Sequence, residues 1–306
     1  MPSMLAFPVK LGSNLVYIGG LYVYFSHSTP QRNAFLLLAL AAALGHALLQ
    51  AMFGMLVKWG VFILMYFMIK RQTLLSTKLI FTGIGLAFLL LIQSIKYDYR
   101  LLNSGWFQER PELAGESSLA IFTKLVDERI DNPDLLFGKP MLTNALDRLN
   151  QGYLTSLAIA YTPLHEPYAY GETIFKAGLA SFIPRFMWPK KPETGGRVNM
   201  IRFTGYDPGE ITSMNIAPLG DAYVNFGPWG GALFLFFYAL MFKAALNYLF
   251  KLTDTYPTLI LWAPLIFFET IHVESDVVAV FNHFVKSILF VAVVYYFAKE
   301  VLKKEI

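Results

Sequence analysis

Apolar residues run along this chain in unbroken blocks rather than in alternation. Seven blocks stand out, at about 11–26, 33–53, 55–69, 78–95, 224–246, 257–273 and 278–298. Most approach the ~20 residues that a helix needs to cross a bilayer. The first is short and carries Asn14. Continuous runs exclude a transmembrane barrel, whose strands alternate. The pattern predicts an all-α polytopic membrane protein with about seven transmembrane helices in a single membrane domain, 1–306. A helix running unbroken from 257 to 298 would be about 60 Å long, twice the hydrocarbon core. A break is therefore expected at 274–277.

Between the fourth and fifth blocks, residues 97–223 change character. Amphipathic helices alternate there with Pro/Gly breaks. "SSLAIFTKLVDERI" (117–130) has a Ser cap and apolar Leu119, Phe122, Leu125 and Val126 at helical spacing. "PMLTNALDRLNQGYLTSLAIAY" (140–161) and "GETIFKAGLASFI" (171–183) repeat the pattern, and the last ends at Pro184.

Composition agrees. The chain is 56% hydrophobic and 15% charged, against ~25% charged in soluble domains. Cysteine is absent, which removes disulfides, a thiolate nucleophile and Cys-based metal sites. The net charge of +4 suits basic cytoplasmic loops, not nucleic acid. Lys70, Arg71 and Lys78 flank one turn, and Lys299, Lys303 and Lys304 follow the last block. The positive-inside rule puts both regions, with the C-terminus, in the cytoplasm. Residues 97–223 then lie outside. The count also puts the N-terminus outside without a signal-peptide layout, as if the chain were the C-terminal part of a longer protein.

Three clusters could carry chemistry. Between Lys176 and Arg202 stand six cations (Lys176, Arg185, Lys190, Lys191, Arg197, Arg202) and one acid, Glu193. Prolines 184, 189 and 192 stiffen this loop, and Trp188 suits the headgroup layer. Such a loop could bind a pyrophosphate or simply anchor a turn to lipid phosphates. Next, "GDAYVNFGPWGG" (220–231) places Asp221 and Asn225 before a Gly227-Pro228 break, with Gly230 and Gly231 allowing close helix contact. Finally, "ETIHVESDVVAVFNHFVK" (269–286) gathers His272, Glu274, Asp276, Asn282 and His283 at one hairpin, with Glu269 and Lys286 deeper. Intramembrane ionisable groups are functional candidates. A structural Glu269–Lys286 pair is the plainer alternative. Glu274-Ser275-Asp276 has a metal-binding spacing, but one triplet does not make a site, and neither metal nor cofactor is expected. His165, beside Glu166 in "TPLHEP", could be a base or a plain surface residue, and His46 reads as a packing residue.

The string "LDRLNQGYLTSLAIAYTP…YGETIFKAGLASFIPRFMWPKKP…RFTGYDPGEITSMNIAPLGDAYVNFGPWGG" resembles the Wzy-type oligosaccharide repeat-unit polymerases of O-antigen and capsule synthesis. Pro184-Arg185, Trp188-Pro189, Lys191-Pro192 and Tyr223-x-Asn225-Phe226-Gly227 carry the resemblance, in detail over 146–232. Two departures stand out: Asp221 where members often have Glu, and only Lys58 in place of an arginine. The resemblance implies a glycosyltransferase of the bacterial inner membrane, working on its outer face. Undecaprenyl-pyrophosphate-linked glycan would be the substrate, and a chain-length regulator could be a partner. Arg148, Arg185, Trp188, Lys190, Lys191, Arg197, Arg202 and Asn225 would bind donor. His272, Glu274, Asp276, His283 or Asp221 would serve as base. An O-antigen ligase is the near rival; a transporter or flippase is the distant one.

Overall fold

The computed structural model describes residues 9, 11–27, 29–49, 53–105, 107, 110–139, 143, 146, 150–183, 187–189, 191–192, 196–209, 214–272 and 274–301. Among these, every regular element is helical. Five helices are long and apolar enough to cross a membrane: Pro30–Leu49, Phe53–Arg71, Leu75–Asn103, Ala217–Leu252 and Val277–Val301. Their outward faces carry exposed leucine and phenylalanine, such as Leu37, Leu38, Leu79 and Phe236. A bilayer, not water, is the solvent for such surfaces. The chain is a helical, multi-pass membrane protein. It divides into two compact units, 16–149 and 1–15 with 150–306.

In the first unit, α1 (Leu15–Phe25), α2 (Pro30–Leu49), α3 (Phe53–Arg71), α4 (Leu75–Asn103) and α5 (Ser118–Asp131) follow one another. Pro30 opens α2, where a missing N–H costs nothing. Ser117 caps α5 as expected, its hydroxyl accepting from Ala120 N–H at 3.2 Å. The packed face of α5 keeps Phe122, Leu125 and Val126 of the four expected residues but not Leu119. Ile121, Leu125 and Arg129 are buried, while Leu119 is exposed. Arg129 joins this face through its guanidinium, which reaches Asp98 on α4 at 2.5 Å.

The second unit holds α6 (Gln151–Tyr161), α7 (Glu172–Phe182), α8 (Arg197–Thr204), α9 (Ala217–Leu252) and α10 (Val277–Tyr296). Most of 140–149 in the expected 140–161 helix lies outside the described residues. The break in α9 falls at Gly227, whose φ of 68° suits glycine. Pro228 has no N–H for the Val224 carbonyl, and the Ala169 N–H fills that place at 2.9 Å. The chain folds back there: a Cβ on Gly231 would sit 3.0 Å from the Ala222 backbone.

Two of the seven expected spans are not single long helices. Residues 11–26 are interrupted at Asn14, leaving the 11-residue α1. Of residues 257–273, those described, 257–272, form a 3-10 turn (Pro257–Trp262), a short helix (Ala263–Ile266) and turns. Pro257 and Pro264 keep this stretch from closing an unbroken α ladder. The expected break before the last span is therefore wider than 274–277, beginning at Phe267.

Candidate functional site

The turn between Ile266 and Val277 brings four polar side chains together. Glu269 is mostly buried, with 14% of its side chain exposed. It accepts a hydrogen bond from the Ser275 hydroxyl at 2.6 Å. Ser275 Oγ also lies 2.9 Å from Nδ1 of His272. The second imidazole nitrogen, Nε2, is 3.5 Å from Glu274 Oε2, on a carboxylate 57% exposed.

Donor counting sets the tautomer. A carboxylate only accepts, so Glu269 takes the single Ser275 proton. Ser275 Oγ then accepts from Nδ1–H. In the neutral ring, Nε2 is left as the basic nitrogen. It lies on the side of Glu274, which would stabilise an imidazolium formed there. His272 is 35% exposed, so an incoming hydroxyl could reach it. The arrangement can remove a proton and hold the resulting charge.

Asp276 and His283, also expected as base candidates, have structural tasks. Asp276 caps α10, accepting from Ala279 N–H at 2.5 Å. His283 is 5% exposed, and its Nε2 lies 2.7 Å from the Leu265 carbonyl, so Nε2–H donates. That bond fills an acceptor left open where the short helix ends. Asp221 is 2% exposed. It takes the Val277 N–H at 2.9 Å, and its other oxygen, Oδ1, has no hydrogen-bond partner among the described residues. Asn225, one turn on, donates to Thr173 Oγ1 at 2.6 Å and to the Asp221 carbonyl at 2.7 Å. Asp221 and Asn225 thus pin α7, α9 and α10 together beneath the hairpin.

The cationic loop is only partly described. Arg148, Arg185 and Lys190 lie outside the described residues. Trp188 is half-buried, and its carbonyl accepts from Lys191 N–H at 3.1 Å. Lys191 is buried, and its ammonium donates to the carbonyls of Ala180 (2.9 Å) and Ile183 (3.1 Å) at the end of α7. Arg197 grips Asp207 through two bonds, at 2.9 and 2.8 Å. Arg202 bridges Glu166 (2.6 Å) and Glu172 (3.2 Å), and Lys176 also pairs with Glu172. Lys176 and Arg202 hold the Glu172 carboxyl below its ordinary value. His165 stacks on Tyr161, 4.6 Å between ring centres. These cations therefore bind groups within the protein: helix-end carbonyls for Lys191, and carboxylates for Lys176, Arg197 and Arg202. His46 is exposed on α2 rather than packed.

The family model for a domain of unknown function, DUF8712, matches residues 2–305. The chain belongs to the DUF8712 family. No curated protein and no solved structure matches it. Within this DUF8712 chain, no group of three or more His, Asp or Glu side chains is placed to hold a metal among the described residues. Asp276 turns inward to its cap while Glu274 is exposed, so the Glu-Ser-Asp triplet is split between two environments. Sequence reasoning missed the bond between Ser275 and Glu269. Their only signal was position, three residues either side of His272.

Proposed function

We propose that this chain is a membrane glycosyltransferase that polymerises undecaprenyl-pyrophosphate-linked oligosaccharide repeats in bacterial surface polysaccharide synthesis. One observation carries the reading: His272 is held by Ser275 and Glu269 with Nε2 turned toward Glu274. The acceptor hydroxyl gives its proton to Nε2 as its oxygen bonds to the donor's anomeric carbon. The bond from that carbon to lipid pyrophosphate breaks, and the pyrophosphate leaves with the electron pair. Glu274 offsets the charge gained by the ring. The reading places the hairpin and residues 97–223 on the outer face of the inner membrane, with a cytoplasmic C-terminus and seven crossings, two of them through the broken stretches near 11–26 and 257–273.

The test is the surface-glycan ladder of a deletion strain complemented with His272→Gln. At wild-type protein level, single repeats should replace long chains. A base of this kind is worth roughly 100- to 10,000-fold in rate. A full ladder from the variant would remove His272 from the chemistry. Free long chains in the deletion strain would instead indicate a ligase, and an unchanged ladder there would end both readings.

A further inference from the structure

We propose that a groove between α1, α2 and α3 binds one acyl chain of an anionic glycerophospholipid, whose phosphate sits at Lys70 and Arg71. This goes beyond the polymerase reading and does not rest on it. The groove has a volume of about 130 Å³ and is walled by Gly20, Tyr24, Leu36, Ala39, Ile63 and Phe67, among others. These positions recur at helical spacing, so three helices each give one stripe. Small residues open it: at Gly20 a Cβ would come within 3.3 Å of Leu36. An apolar slot among membrane helices takes a hydrocarbon chain, not water or a soluble ion.

The headgroup follows from charge at one end. Lys70 donates to the Tyr24 carbonyl and lies 4.3 Å from the centre of the Tyr24 ring, joining the end of α3 to the end of α1. The links 26–29 and 72–74 are short. Arg32, early in α2, and Lys78, early in α4, therefore share that end. All four cations are exposed. The first acidic residue of the whole chain is Asp98, about 30 Å further along α4 at 1.5 Å per residue. Nothing acidic before it can neutralise this end. A zwitterionic headgroup would bring its own cation against four others, whereas a net-negative one would not. Lys70 keeps two further N–H groups beyond its carbonyl bond, and Arg71 can fork onto phosphate oxygens. The positive-inside rule assigns this end to the cytoplasmic leaflet, where a glycerophospholipid is at hand.

Trp59 reports on the groove, because it stacks on Tyr17, which lines it, at 4.9 Å. The full chain, with Trp106, Trp188, Trp229 and Trp262 changed to Phe, would be placed in phosphatidylcholine vesicles. Brominated-chain phosphatidylglycerol would be compared with brominated-chain phosphatidylcholine. The glycerol lipid should reach half-maximal quenching at a several-fold lower mole fraction. The double variant Lys70→Ala, Arg71→Ala should erase that preference, and Ala39→Phe, which fills the groove, should reduce quenching by both lipids. Equal quenching curves for the two lipids overturn the proposal. So does a preference that survives the double variant, or relief of quenching by polyprenyl phosphate ahead of unlabelled phosphatidylglycerol. If the tryptophan-substituted chain fails to fold, mass spectrometry of phospholipid retained by the unmodified protein after detergent extraction decides. Anionic lipid should be enriched over the source membrane and lost from the double variant; a composition matching the membrane overturns the site.

Discussion

Asp221 on α9 accepts a hydrogen bond from the backbone N–H of Val277, the first residue of α10, at 2.9 Å. That N–H belongs to the set a helix cannot satisfy internally. Asp276 fills another of the same set through Ala279. Two carboxylates from different elements thus hold one helix start, which also favours negative charge. The hairpin carrying His272 ends at this point. Asp221→Ala should strand a buried N–H and lower stability by about 1–3 kcal/mol. Asp221→Asn keeps an acceptor and should lose less. Thermal unfolding in detergent, with membrane protein level, gives the comparison; equal losses from the two variants would show that charge rather than the acceptor matters.

Ser275 fixes the ring of His272, so its effect should appear in rate rather than in donor binding. Ser275→Ala removes the 2.9 Å partner of Nδ1 and leaves it Glu269 at 3.4 Å, so the ring is held less firmly. Turnover should fall by less than the ~100-fold minimum expected for outright loss of a base, with donor affinity unchanged. Ser275→Thr, which keeps the hydroxyl, should recover part of the rate. The comparison needs turnover and donor affinity measured on the same preparations; a drop in affinity with intact turnover contradicts the positioning role.

Lys191 stands in a Lys-Pro pair with Pro192, and its ammonium caps the carbonyls of Ala180 and Ile183. A cation at a helix C-terminus also meets the dipole favourably. Lys191→Met should therefore cost about 1.5–3 kcal/mol in stability and loosen the end of α7. Proteolysis of the 184–195 segment and the melting temperature read this directly. A stable variant with weakened donor binding would return Lys191 to the substrate.

Arg197 and the Gly209 N–H hold the Asp207 carboxyl below its ordinary value near 3.8. The sign follows from linkage. A depressed folded-state pKa adds stability above the unfolded value, and that stability is lost as pH falls through the folded value. The pair is exposed, so the effect should be small and screened by salt. Asp207→Asn should melt below wild type at pH 6, and the gap should narrow as pH falls below the ordinary value of 3.8. A gap that persists at the lower pH would mean that Asp207 acts through packing.

The sequence by itself determined the solvent. Blocks of apolar residues too long for a soluble core, few charges and no cysteine lead to a helical membrane protein. The Asn225–Pro228 break was also legible, because Pro228 cannot donate and Gly227 can take a positive φ. So were the helix starts at Ser117 and Glu172, from local capping and turn chemistry. The tertiary structure alone decided which polar groups meet. Spacing cannot distinguish a carboxylate that caps a helix, as Asp276 does, from one that faces solvent, as Glu274 does. It also cannot show that His283 is spent on Leu265 while His272 is held by Ser275. Periodicity reports which face of a helix is apolar. A hydrogen bond depends on which residue of another element arrives within about 3 Å, and that is set by the packing of α7, α9 and α10 together.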